Sequence, residues 1–194
     1  QVEYTFDIEN MTYSVTEIPS FEMQEYTPVI SMDENSKLDF LTEEQNEVWM
    51  KSRFIKSFSV SSGNAQLPFS NEKNTADFYM PTDISYKSFA DFINSAFTEE
   101  AFDFLTNFAF KDVNGFVYWA HGARGGDLAY RGCDFELVSK DENTIKFKCI
   151  AYYNNGPVYT EYTEGDPYNC TLEYPIEMVN TENGWRMKYY DLWY

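Results

Sequence analysis

His121, Arg124, Asp127 and Tyr130 fall together in WAHGARGGDLAY, residues 119–130. An imidazole, a guanidinium, a carboxylate and a phenol are the groups of acid–base work and of anion recognition. His121 is the only histidine, and Arg131 follows directly, so two of four arginines cluster in a chain of net charge −18. Gly122, Gly125 and Gly126 loosen the backbone between them. A phosphate loop needs G-x-x-x-x-G-K-[S/T] opening a helix; here Asp127 and an alternating pattern follow. Nucleophilic catalysis needs a base beside Ser or Cys, and the alternation turns Cys133 toward the core. Three readings remain. Arg124 offers a planar fork to a carboxylate, beside Trp119, His121 and Tyr130. Asp127 with Tyr118 or Tyr130 imitates a carboxylate base with hydroxyl donors around a pocket. The plain alternative is a glycine-bent connection between strands, with Arg124 paired locally to Asp127.

A second stretch, YYNNGPVYTEYTEGDPYN (152–169), sets Tyr159 and Tyr162 among further tyrosines beside Glu161, Glu164 and Asp166. Exposed tyrosines bury much area at low entropic cost, which suits a contact surface; a long hairpin whose tyrosines cap the sheet is the plainer alternative. The acidic residues do not follow an EF-hand pattern. One histidine and three cysteines without a CxxC cannot complete a zinc site of the usual spacing. No metal, no cofactor and no catalytic residue is therefore expected. The binding candidates are Arg124, Asp127, Tyr130, Trp119, His121, Tyr159 and Tyr162.

The elements that must position these residues follow from composition and period. At 194 residues, 43 % hydrophobic and 19 % aromatic, the chain can bury a core built on large planar groups. Its acidity argues against nucleic acid, whose phosphates need a basic footprint, and against an anionic membrane surface. No apolar run approaches the ~20 residues of a transmembrane helix. The chain starts at Gln1 rather than Met, so it reads as trimmed, with an export signal or lipid anchor expected upstream.

Residues 1–45 hold eleven acidic residues against Lys37 alone. Without a sustained period, residues 1–40 read as an acidic arm or linker that partly packs on the domain and contributes little to its core. Thr42 and Gln45 form a capping box opening a helix over about 42–58, with Val48, Ile55 and Phe58 on its stripe. A short strand follows near ADFYMPTDI. Phe89, Phe92, Ile93 and Phe97 mark a second helix, and Thr98 caps a third, with Ala101, Phe104, Leu105 and Phe108 inward. From residue 112 the period is two. An Asn-Gly turn precedes an aromatic strand. CDFELVS and IKFKCIA make a hairpin with outward acids facing outward lysines. CTLEYPIEMV turns Cys170, Leu172, Tyr174, Ile176 and Met178 inward, and WRMKYYDLWY is a closing strand. A long antiparallel meander covered on one face by helices is an α+β architecture. All three cysteines then fall on the core face as reduced, buried thiols; a Cys133–Cys149 bridge is the less favoured alternative.

Taken in order, LTEEQNEVWMKS, SFADFINSAFTEEAFDFL, NGFVYWAHGARGGDLAY, IKFKCIAYY and NGWRMKYYDLWY resemble exported Gram-positive proteins of the IseA-type DL-endopeptidase inhibitor family and related lipoproteins with an NTF2-like (cystatin-like) domain. The resemblance covers roughly residues 41–194. It implies helices packed on a curved antiparallel sheet, a place outside the membrane, tethered by a lipidated N-terminus, and inhibition of a cell-wall peptidoglycan hydrolase. No inhibitory residue carries over. A non-enzymatic extracellular binding domain with a protein partner is thus the leading expectation. A small-molecule-binding or isomerase-like pocket protein and a structural accessory domain of a surface assembly are the alternatives.

Overall fold

Thr42 opens the first helix through reciprocal bonds: its backbone N–H donates to Gln45 Oε1 (2.9 Å), and its hydroxyl accepts from the Gln45 N–H (3.3 Å). The helix, α1, runs Glu43–Val60. The computed structural model describes residues 2–7, 12–17, 22–28, 30, 36–60, 79–120, 127–156 and 161–191. Among them the other elements are β1 (Val2–Asp7), β2 (Thr12–Glu17), β3 (Tyr79–Ser85), α2 (Tyr86–Asn94), α3 (Glu99–Ala109), β4 (Phe110–Val113), β5 (Phe116–Ala120), β6 (Tyr130–Lys140), β7 (Thr144–Asn154), β8 (Asn169–Thr181) and β9 (Gly184–Met187). The protein is a mixed α+β fold with antiparallel sheets. β1 and β2 form a hairpin, β3-β5-β4 a three-stranded sheet and β6-β7-β8-β9 a four-stranded meander.

The hairpin reading of β6 and β7 holds in detail. Asp141 Oδ1 accepts from the Asn143 and Thr144 N–H groups to close the turn. Glu136 pairs with Lys148 across the strands, and Lys148 also reaches Glu173 on β8 at 2.8 Å. Asn114 and Gly115 have φ of 55° and 85°, the left-handed pair that a two-residue turn between β4 and β5 requires.

Three expectations need correction. The strands after residue 112 do not form one continuous meander: β5 pairs with β3 and β4, and the four-stranded sheet begins afresh at β6. Alternation identifies a strand and its faces but not its neighbour. The last strand ends at Met187 rather than running through Tyr190. Tyr190 turns into the core, tilted against Trp49 and stacked near Phe97, where ring burial outweighs further ladder pairing. Cys170, Leu172 and Leu137 are exposed and Cys133 is half-buried. β8 has 13 residues, and only its second half is covered well enough to bury Ile176 and Met178.

The core lies between α1 and the inner face of the meander. Trp49 meets Phe135 and Phe147 edge-on at 5.3 Å. The join between α2 and α3 ties the helices to β9. Met187 N–H donates to Ala96 O (2.8 Å) and Thr98 N–H to Met187 O (3.0 Å). Residues 22–41 also dock. Gln24 bonds across to Asp83 and Ser85, and the Tyr26 ring packs edge-on against Phe89 and Phe92. Leu38 is buried, its N–H donating to Asn46 Oδ1. Lys140 donates to Phe40 O, fastening the tip of the β6–β7 hairpin over this segment.

Lys56 is buried and donates to Tyr190 O at 2.7 Å, with its ammonium 4.2 Å from the Tyr189 ring centre. Burial lowers its pKa from the ordinary 10.5 to about 8, with Asp191 opposing the shift. The folded chain then holds fewer protons than the unfolded chain between about pH 8 and 10.5, so stability contributed here rises with pH across that window. The stability of the wild type relative to Lys56→Met, measured in urea, is expected to grow as the pH rises through 8. A pH-independent difference contradicts a buried ammonium. Deletion of residues 1–17 should leave the thermal midpoint in place, whereas deletion of 1–38 removes Tyr26 and Leu38 and should cost about 2–5 kcal/mol. Equal midpoints for the two truncations contradict the docking.

Candidate functional site

Inward and outward side chains alternate along β7. Ile145, Phe147, Cys149, Ala151 and Tyr153 are buried, and Lys146, Lys148, Ile150 and Tyr152 point the other way. The first two outward residues are charged, but Ile150 and Tyr152 are not. They floor a cleft of about 580 Å³ on the outer face of the meander, completed by Arg131, Tyr162, Glu164 and Thr171. Register explains the grouping: Tyr152 lies opposite Thr171 on β8 and opposite Gly132 on β6, beside an irregularity in the ladder that takes in Arg131.

The Tyr152 and Tyr162 rings meet at 5.0 Å with a 57° tilt. The Tyr152 hydroxyl donates to Asp134 Oδ2 at 2.6 Å, and this bond to a carboxylate pushes its pKa up to about 12. Arg131 donates to Leu128 O and Tyr130 O, so its guanidinium braces the preceding turn while its side chain lines the cleft.

Buried Asn154, at the end of β7, holds both loops that flank this region. Its N–H donates to Ala129 O (2.8 Å), its Nδ2 to Glu161 O (3.0 Å), and its Oδ1 accepts from the Gly156 N–H (2.7 Å). The 161–169 segment is ordered from within as well. Asp166 Oδ1 accepts from the Tyr168 N–H, and Asn169 donates to Thr163 O. Asp166 is thereby a turn residue. No group of three or more metal-ligating side chains occurs among the described residues.

The candidates read from sequence separate in space. His121, Arg124 and Tyr159 lie outside the described residues. Trp119 is in β5, its backbone paired with Met80 and Phe110. Asp127 is exposed, and its Oδ1 accepts from the Ala129 N–H at 2.8 Å, the geometry of an Asx turn. Tyr130 opens β6 and packs edge-on against Tyr153, whose hydroxyl is 2.9 Å from that of Tyr174 on the inner face. Burial raises the Tyr153 phenol above its ordinary range. Tyr162 alone among the candidates lines the outer cleft. Arg131, Ile150, Tyr152, Glu164 and Thr171 were missed as site residues. The available signal was the apolar pair Ile150 and Tyr152 on a face otherwise carrying lysines.

The cleft can hold a planar or apolar group against two phenol rings, with a guanidinium and a carboxylate at its rim. No protein-family model matches the chain, and no curated protein matches it.

Asn154→Ala removes two side-chain hydrogen bonds at a buried position and should cost about 1–3 kcal/mol in urea denaturation. Proteolysis should then cut the 161–169 segment faster than in the wild type. Unchanged stability and cleavage contradict the bracing role of Asn154.

Proposed function

We propose that the chain is a non-enzymatic binding domain of NTF2-like (cystatin-like) type from an exported, surface-held protein. Its partner is a protein, of which a cell-wall peptidoglycan hydrolase of the DL-endopeptidase class is the one the resemblance implies. The observation that carries this reading is the Tyr152–Tyr162 ring pair on the outer sheet face, flanked by Arg131 and Glu164. Aromatic and arginine side chains on a rigid sheet are the usual anchors of protein interfaces. Exposed Leu128 (90 %) and Tyr168 (58 %) add apolar area in the flanking loops. The acidic surface favours approach of a basic partner, and the rings then set the pose. The described carboxylates all lie at least partly in solvent, which gives a buried general base no support. The inner-face phenol pair Tyr153–Tyr174 is the feature that favours the alternative of a small-molecule pocket.

The test is binding of the chain to a panel of cell-wall peptidases at low and high salt. Tyr162→Ala and Tyr152→Ala, each shown to fold, are expected to weaken binding by more than ~1 kcal/mol, the usual threshold for a contributing interface residue. High salt is expected to weaken it further. A peptidase that binds both variants as tightly as wild type places the interface elsewhere. If none of the panel binds, the inhibitor reading fails and the inner-face pocket becomes the better hypothesis.

A further inference from the structure

Cys133 and Cys149 sit on adjacent strands of the meander with both side chains on its inner face. Their thiols are in hydrogen-bonding contact, and this contact together with burial holds the Cys149 thiol far above its ordinary range. The two differ in access. Cys149 is fully buried, whereas Cys133 is half-buried and lines a cavity of about 430 Å³ at the β6 edge. Arg53, Asp134 and Phe135 share that cavity with the 36–40 segment. Arg53 lies over the Trp49 ring, 5.7 Å from its centre, and its charge is felt at Cys149. A guanidinium beside two thiols favours the thiolate on which disulfide chemistry depends. Asp134, the opposing charge, is engaged by the Tyr152 hydroxyl.

We propose that Cys133 and Cys149 form a redox-responsive dithiol that reacts with small disulfide oxidants entering the Arg53-lined cavity. Cys133, as thiolate, attacks one sulfur of the oxidant, forming a mixed disulfide and expelling the other half as a thiolate. Cys149 then gives its proton to that released thiolate and attacks the Cys133 sulfur. The protein disulfide closes and the second half of the oxidant leaves as a thiol. The dithiol is oxidised by two electrons, and the oxidant is reduced to two thiols. An accessible first thiol backed by a resolving one is the arrangement of redox-sensing cysteines. The register makes the bridge reversible rather than constitutive. Cys133 is opposite Ala151 and Cys149 opposite Phe135, so the pair is diagonal, and closure must pull β6 along β7. Strain of that kind makes a disulfide easier to reduce. Cys170 is exposed opposite Tyr153 and stands apart from the pair.

The experiment uses the full chain with Cys170→Ser, reduced, freed of reductant and exposed to oxidised glutathione. It is then alkylated under denaturing conditions and weighed intact. The expected result is loss of both alkylation sites without retained glutathione, and a proteolytic peptide linking residues 133 and 149. Adding Cys149→Ser should trap one glutathione on Cys133, and adding Cys133→Ser should leave Cys149 fully alkylatable. Cys149→Ala serves as the second variant at the buried position, and each is first shown to keep its thermal transition. Two outcomes overturn the proposal. One is two alkylatable thiols persisting while Cys170 in the wild type is fully modified. The other is a lasting glutathione adduct on Cys133 whether or not Cys149 is present.

Discussion

The Trp49 indole joins the two halves of the molecule. It projects from the middle of α1, is fully buried, and touches Phe135 on β6, Phe147 on β7 and Tyr190 beyond β9. Each aromatic contact of this kind adds about 0.5–1.5 kcal/mol to the area it buries. Without it, the inner face of the meander and the apolar side of α1 would each lack their central partner. The C-terminal segment depends on the same junction, because Ser52 and Lys56 on α1 hold the hydroxyl and the carbonyl of Tyr190. The outer face can carry function because the inner face is closed in this way.

The features legible in the sequence were those encoded by neighbours in the chain. The Thr42–Gln45 cap, the Asn114–Gly115 turn, the Thr98 cap and the Glu136–Lys148 pairing each depend on a few adjacent residues or on a short hairpin. Properties set by distant partners were not legible. Nothing local distinguishes a β5 that pairs with β3 from one that pairs with β6. Nothing in CTLEYPIEMV marks where cover ends, so Cys170 and Leu172 read as buried although only the far half of β8 is enclosed. The inward turn of Tyr190 is likewise a decision of tertiary packing over strand propensity.

The candidate site follows the same division. The glycine-rich stretch drew attention by its chemistry, but Asp127 serves its own turn and Tyr130 packs inward on Tyr153. The cleft is assembled from β6, β7, β8 and the 161–169 segment, and Asn154 makes that assembly possible by satisfying the backbone of both flanking loops. Tyr162 was visible as part of a tyrosine-rich loop, yet its ring partner Tyr152 is ten residues away and becomes a neighbour only when the loop folds back. The cavity lined by Cys133 lies at the other edge of β6, and Asp134 stands between the two sites, bonded to Tyr152 on one side and lining the thiol cavity on the other.

Hydrogen exchange compared between the wild type and Trp49→Leu tests the dependence of the meander on α1 most directly. Cooperative units of a fold lose protection together when their shared contact is weakened. If Trp49 closes the core as described, amides of α1 around residues 49–56 and of β7 around 145–153 should be among the slowest to exchange, and both sets should speed up together in the variant. Faster exchange confined to α1, with β6–β9 protection unchanged, would show that the meander stands without the indole and would contradict the account.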